Sequence, residues 1–130
     1  MSNLINLLDT YKGEKRELYP LTPSQMGVYL SCMHNPKGTM YNIPCTYVFD
    51  SGSLDTDRLI NAVRKAVDNH PVMKIFIDNS TGSPMMKPRD SVEFDIPVVQ
   101  VNNLEQAGKD FVKPFDLEKD ILFRFAVFEC

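Results

Sequence analysis

Apolar positions along this chain repeat in two rhythms that alternate. Residues 3–11 carry Leu4, Ile5, Leu7 and Leu8 at helical spacing, and the charged run Lys12 to Glu17 reads as a linker, so residues 1–18 form an N-terminal helix and linker ahead of a fold that begins near Tyr19. At Thr22-Pro23-Ser24-Gln25 a hydroxyl residue precedes a proline, with glutamine three residues after the cap, which predicts a capping-box start and a helix over Pro23 to Met33. Asn35-Pro36-Lys37-Gly38 ends that helix, with the glycine expected in a left-handed turn. From Ile43 to Asp50 the residues Ile43, Cys45, Tyr47 and Phe49 alternate with others, the pattern of a strand with one buried face, and Ser51-Gly52-Ser53 is its turn.

Asp55 then caps a second helix whose stripe Leu59, Ala62, Val63, Ala66, Val67 and His70 keeps to one face and stops at Pro71. Val72 to Ile77 is a β-rich run, and Asp78 to Gly82 reads as a hairpin loop into a strand at Met85 to Pro88. Ile96 to Val101 predicts a further strand. Asn103 to Val112 has helical spacing at Leu104, Ala107, Phe111 and Val112, broken by Lys113-Pro114-Phe115-Asp116. Ile121 to Cys130 is apolar on both faces apart from Arg124 and Glu129, as a strand in the middle of a sheet would be. This order predicts an α/β fold, a two-layer sandwich with helices packed on a mixed sheet. A central strand followed by no turn residue leads to the expectation that the chain is a truncated piece of a larger unit.

Composition narrows the class. The 130 residues suit one domain, and 43% hydrophobic with 24% charged residues excludes disordered and fibrous chains. Seventeen acids and 14 bases are dispersed, and the lack of a Lys/Arg cluster excludes nucleic acid as a partner. No stretch approaches the ~18 apolar residues of a spanning helix, and polar residues interrupt the start, so a soluble cytoplasmic protein without membrane contact is expected. Cys32, Cys45 and Cys130 lack CxxC spacing and read as reduced, buried thiols, and His34 and His70 lack companion ligands for a metal. Met26, Met33, Met40, Met73, Met85 and Met86 read as core filling.

Three stretches together resemble the condensation domains of nonribosomal peptide synthetases. Tyr19-Pro20-Leu21-Thr22-Pro23-Ser24-Gln25-Met26-Gly27-Val28-Tyr29-Leu30 is similar to the family's opening motif, with Ser24 and Gln25 standing for its Ser-x-x-Gln-type residues in compressed form and Gly27 near a common arginine. Asn69-His70-Pro71-Val72-Met73-Lys74-Ile75-Phe76 resembles the second motif, Arg-His-Glu-x-Leu-Arg-x-x-Phe, with His70 on its histidine, Met73 on its leucine and Lys74 on its second arginine; Asn69 and Pro71 depart from it. Lys113-Pro114-Phe115-Asp116-Leu117 and Ile121-Leu122-Phe123-Arg124-Phe125 resemble the Pro-Phe-Asp-Leu turn and the Leu-Leu-Arg-Ala strand that lead towards the catalytic motif.

The resemblance implies the N-terminal lobe, residues 19–130, of a chloramphenicol acetyltransferase-like fold of two lobes with a tunnel between them. It implies peptide-bond formation between aminoacyl or peptidyl thioesters held on the phosphopantetheine arms of carrier domains. An epimerisation, cyclisation or ester-forming relative, and a non-catalytic carrier-docking module, stay open as alternatives. The catalytic His-His-x-x-x-Asp-Gly does not occur in this chain, so no catalytic residue is assigned and the chain alone is expected to be inactive, with no bound cofactor or metal. Its expected partners are carrier domains and a C-terminal lobe, and the apolar face left by that lobe is expected to drive self-association.

The resemblance casts Lys74 and His70 as structural support for the absent motif. For Lys74 a plain solvent-facing strand lysine is the competing reading, and for His70 a core or helix-capping role. Ser24 is assigned to the first helical turn, with its hydroxyl on backbone, rather than to nucleophilic chemistry. Arg124, a charge on an apolar strand, is expected to pair with an acid across the sheet, Asp116 and Glu118 being near in sequence.

Overall fold

The first helix starts where its capping chemistry dictates. In the computed structural model, which describes residues 17–50 and 52–130, α1 spans Pro23–His34, and the expected N-terminal helix at residues 3–11 lies outside the described residues. Thr22 Oγ1 accepts from Gln25 N at 3.3 Å while Gln25 Oε1 accepts from Thr22 N at 2.8 Å, so two orphan donors of the first turn are satisfied reciprocally. The hydroxyl doing this belongs to Thr22. The helix closes with Asn35 N donating to Ser31 O at 3.1 Å. Gly38 does not take the left-handed conformation expected of it; a side chain there would meet Asn35 Nδ2 at 2.7 Å, so close approach explains the glycine.

The strand expected over Ile43–Asp50 is not formed. Ile43 is 87% exposed, Tyr47 and Phe49 are also open to solvent, and no described strand pairs with this stretch. A period-2 pattern becomes a strand only when a neighbour takes up its N–H and C=O groups.

Helix α2, Thr56–Asn69, is capped by Asp55, whose Oδ1 accepts from Arg58 N at 2.9 Å. Its inward line is Leu59, Val63 and Val67, with Val67 only 1% exposed, while Ala62, Ala66 and His70 on the expected stripe face solvent. After Pro71 the chain makes a 3-10 turn, Pro71–Lys74, closed by Met73 N on His70 O at 2.9 Å, so the strand expected from Val72 begins three residues later. The first sheet has the order β1-β3-β2, all antiparallel, from β1 (Tyr19–Pro20), β2 (Ile75–Asp78) and β3 (Met85–Pro88). Met86 sits opposite Tyr19 on one side and Ile77 on the other. The β2–β3 hairpin turns at Gly82, whose φ of 79° only glycine adopts freely.

A parallel pair forms the second sheet. β4 (Val98–Gln100) leads into α3 (Leu104–Phe111), capped by Asn103 Oδ1 on Gln106 N at 3.0 Å, and β5 (Val127–Glu129) returns beside β4 with Val98 opposite Val127. The long strand expected over Ile121–Cys130 is thus three residues of half-buried edge, paired with β4 alone among the described residues. In its first half Arg124 reaches back to the loop after α3. The α/β class stands, with antiparallel and parallel pairing divided between two sheets.

Tyr29, Val67, Ile77 and Ile96 are the buried hydrophobic residues of the described chain. Beside Ile96 three rings cluster, with Phe94 and Phe123 edge to face at 5.0 Å and Phe125 tilted 5.3 Å from Phe123. Arg64 joins α2 to this group, donating to Phe94 O at 3.0 Å. Two expectations about the interior fail. Met33 and Met40 are exposed, and Cys45 and Cys130 are exposed with Cys32 half-buried.

Candidate functional site

The second motif forms the end of α2. The last carbonyls of a helix lack intrahelical donors, and here Lys74 and His70 supply them. His70 N donates to Val67 O at 3.2 Å, and its ring Nδ1 lies 2.6 Å from Ala66 O; a carbonyl only accepts, so Nδ1 carries the proton. Lys74 Nζ donates to Asp68 O at 3.0 Å and to Asp90 O at 3.0 Å, tying α2 to the loop after β3. Lys74 is therefore half-buried and bonded, not a free solvent lysine, and His70 is an exposed cap, not a core residue. The Lys74 ammonium stands where the helix dipole favours positive charge.

The loop that carries the third motif bonds to the first motif and to β2, the strand in which the second motif ends. Tyr29, on the first motif, is 6% exposed and donates its phenol proton to Glu118 Oε1 at 2.7 Å. The same oxygen accepts from Asn79 Nδ2 at 3.4 Å, and Leu117 O accepts from Ile77 N at 3.2 Å along the free edge of β2. The bond to Glu118, then burial and the charge of Glu118, push the Tyr29 phenol up to about 12.

The loop itself is closed by its own acids. Asp116 Oδ1 accepts from Glu118 N at 3.1 Å, and Asp120 Oδ2 accepts from Asp116 N at 2.9 Å. Asp116 feels desolvation most, which raises its carboxyl, but the bonds from Glu118 N and Lys119 together hold it below the ordinary value. Arg124 Nη1 and Nη2 donate to Lys113 O at 2.7 Å and Pro114 O at 2.9 Å, and Asn42 Nδ2 also reaches Lys113 O at 2.8 Å. The acid across the sheet expected for Arg124 is absent: its main partners are backbone carbonyls, and the nearest carboxylate is Asp120, four residues back at 3.8 Å.

On the first motif Thr22 is the capping hydroxyl, as its place before Pro23 predicts, and Ser24 and Gln25 stand in the first turn of the helix. Gln25 Nε2 also approaches Met86 Sδ at 3.7 Å, seating α1 on β3. Ser24, Gln25, Tyr29, Met73 and Leu117 line an apolar groove of about 420 Å³ between α1 and the first sheet.

The three stretches thus converge, and what they build is a framework of caps and clamps. Nothing in the sequence marks Tyr29 and Glu118, 89 residues apart, as a pair. The signal present was a lone aromatic on α1 whose hydroxyl needs a partner when buried. Among the described residues no group of three or more His, Cys, Asp or Glu side chains could hold a metal ion, and no helix is long and apolar enough to cross a membrane.

Comparison with known proteins agrees with the motif geometry. The condensation-domain family model matches residues 15–130. Bacitracin synthase 3 of Bacillus licheniformis is 32% identical over 118 residues, which is 89% of this chain and 2% of that protein. Bacitracin synthase 2 of the same organism is 30% identical over 118 residues, 89% of this chain and 4% of that protein. The chain therefore spans a few per cent of the length of these relatives. A crystal structure of the starter condensation domain of rhizomide synthetase, in complex with C8-CoA, superposes with a TM-score of 0.68 at 17% identity over 86% of this chain and 27% of that one. Fold, motifs and family match coincide: the chain belongs to the condensation-domain family of nonribosomal peptide synthetases.

Proposed function

We propose that this chain is the N-terminal lobe of a condensation domain whose whole protein forms peptide bonds between carrier-bound aminoacyl or peptidyl thioesters. The observation that carries the reading is the family match over residues 15–130, supported by the groove that Ser24, Met73 and Leu117 line, one residue from each of the three motifs. In the proposed reaction an acceptor amine attacks the donor thioester; the C–N bond forms, the C–S bond breaks and a carrier thiol is released. Carrier domains deliver both substrates on phosphopantetheine arms, and holding the two reactants together supplies much of the rate.

The sequence holds no His-His-x-x-x-Asp-Gly, so this polypeptide contributes framework rather than a base. Lys74 and His70 serve that framework by holding the end of α2, and the Lys74 ammonium is the group that supports an aspartate of the catalytic motif. The setting is cytoplasmic, as for a soluble synthetase. Exposed Ile43, Tyr47 and Val48 support a lobe that associates with a second lobe or, without one, with itself.

The test is amide formation from carrier-bound aminoacyl thioesters. The longer protein that contains this chain forms the product, and the chain alone forms none. Product from the isolated chain would overturn the reading. An epimerised, cyclised or ester product from the longer protein would assign the relative instead, and carrier binding without any product would assign a docking module.

A further inference from the structure

The sequence motifs account for caps and turns, but not for the single polar bond that joins α1 to the loop Lys113–Asp120. We infer that Tyr29 and Glu118 are a positioning pair: their bond clamps this loop onto α1 and sets where the chain Ile121–Glu129 departs from it. This rests on the reading of that stretch as the approach to the catalytic motif.

Three observations carry it. The bond is 2.7 Å long, spans 89 residues of sequence and has its donor on a buried ring, so water competes poorly for it. The acceptor is shared: Asn79 reaches the same Glu118 oxygen, and the neighbouring Leu117 O takes Ile77 N, so one dipeptide registers α1 against β2. The loop is also stiff. Asp120 N donates to Asp116 O at 2.8 Å, Asp116 N and Glu118 N are bound by carboxylates inside the loop, and Arg124 holds its opening carbonyls. A stiff loop held at one carboxylate passes that placement to the residues that follow it. The charged neighbours are accounted for: Asp116, Lys119 and Asp120 pair within the loop and with Arg124.

Hydrogen exchange on the chain separates a local clamp from general stability. In Tyr29→Phe and Glu118→Ala the amides of Ile77 and Glu118 are expected to exchange roughly tenfold faster, while Leu59 and Ala107, on α2 and α3, keep their protection. Glu118→Gln keeps an oxygen that accepts the phenol and should restore most of the protection. Unchanged Ile77 exchange, or loss spread equally to Leu59 and Ala107, overturns the clamp.

The positioning role is read in the longer protein. There Tyr29→Phe should lower kcat for amide formation roughly tenfold with KM altered by less than about twofold, and Glu118→Gln should recover it where Glu118→Ala does not. Faster Ile77 exchange with unchanged kcat overturns the positioning role and leaves the proposed function standing. A wild-type protein that makes no amide overturns the proposed function instead, and the exchange data then decide the clamp by themselves.

Discussion

The guanidinium of Arg124 lies 3.9 Å from the centre of the Phe115 ring while its two terminal nitrogens bind the carbonyls of Lys113 and Pro114. One planar fork therefore covers an aromatic face and closes a proline turn at once. This explains why arginine follows a Pro-Phe-Asp-Leu turn here, and why the preceding acids matter less than their charge suggests.

Arg124→Ala is expected to cost about 2 kcal/mol, from two charge-assisted hydrogen bonds and the stacking contact. Arg124→Lys should recover less than half of that, because an ammonium offers no flat fork. Asp120→Asn removes an ion pair whose partners are 3.8 Å apart and partly exposed, and should change stability by under ~0.5 kcal/mol through the pair itself. Urea unfolding of the three variants tests the ranking.

Val67 and Val72 separate burial from hydrophobicity. Val67 is 1% exposed and Val72 71% exposed, five residues apart. Val67→Ala should destabilise by about 2 kcal/mol, and Val72→Ala by no more than ~0.5 kcal/mol. Equal losses in thermal or urea melts would contradict the placement of α2.

His70 and Lys74 close the same helix end, so their losses should not add. His70→Ala and Lys74→Ala are each expected to cost about 1 kcal/mol, with a measurable coupling in the double variant. Amide exchange in the last turn of α2 should speed up in both. Lys74→Ala alone should also loosen the Asp90 loop, since among these two side chains it is Lys74 that reaches Asp90 O.

The pH dependence has two limbs with opposite signs. Folding raises the Tyr29 phenol from 10.0 to about 12, so the stability it contributes is complete below pH 10.0 and is lost as pH rises to about 12. Tyr29→Phe should therefore lack this part of the alkaline limb. Asp78, held low first by the hydroxyl and N–H of Ser80 and then by Lys87, and Asp116 both lie below the ordinary 3.8. Their contribution is present above 3.8 and lost as pH falls below it. Asp116→Asn should flatten the acid limb of a stability-versus-pH curve.

Local chemistry was legible wherever it closes within a few residues. Thr22 with Gln25 and Asp55 with Arg58 each complete a cap over three residues, and the hairpin turn at Gly82 needs only its own φ. The family was legible because three motifs keep their order. The strand expectations at Ile43–Asp50 and Ile121–Cys130 did worse, since alternation states which side could be buried and not whether a partner is present.

The sequence by itself determined the helices, the hairpin, the family and the absence of a catalytic histidine pair, because these depend on residue identity and short spacing. Only the tertiary structure decided that Glu118 belongs to Tyr29, that Arg124 binds carbonyls rather than a carboxylate, and that Lys74 ties the end of α2 to the loop after β3. Those partners lie 89, 11 and 16 residues away in the case of Glu118, Lys113 and Asp90, and a hydrogen bond at that range exists only once packing has excluded water and fixed both ends.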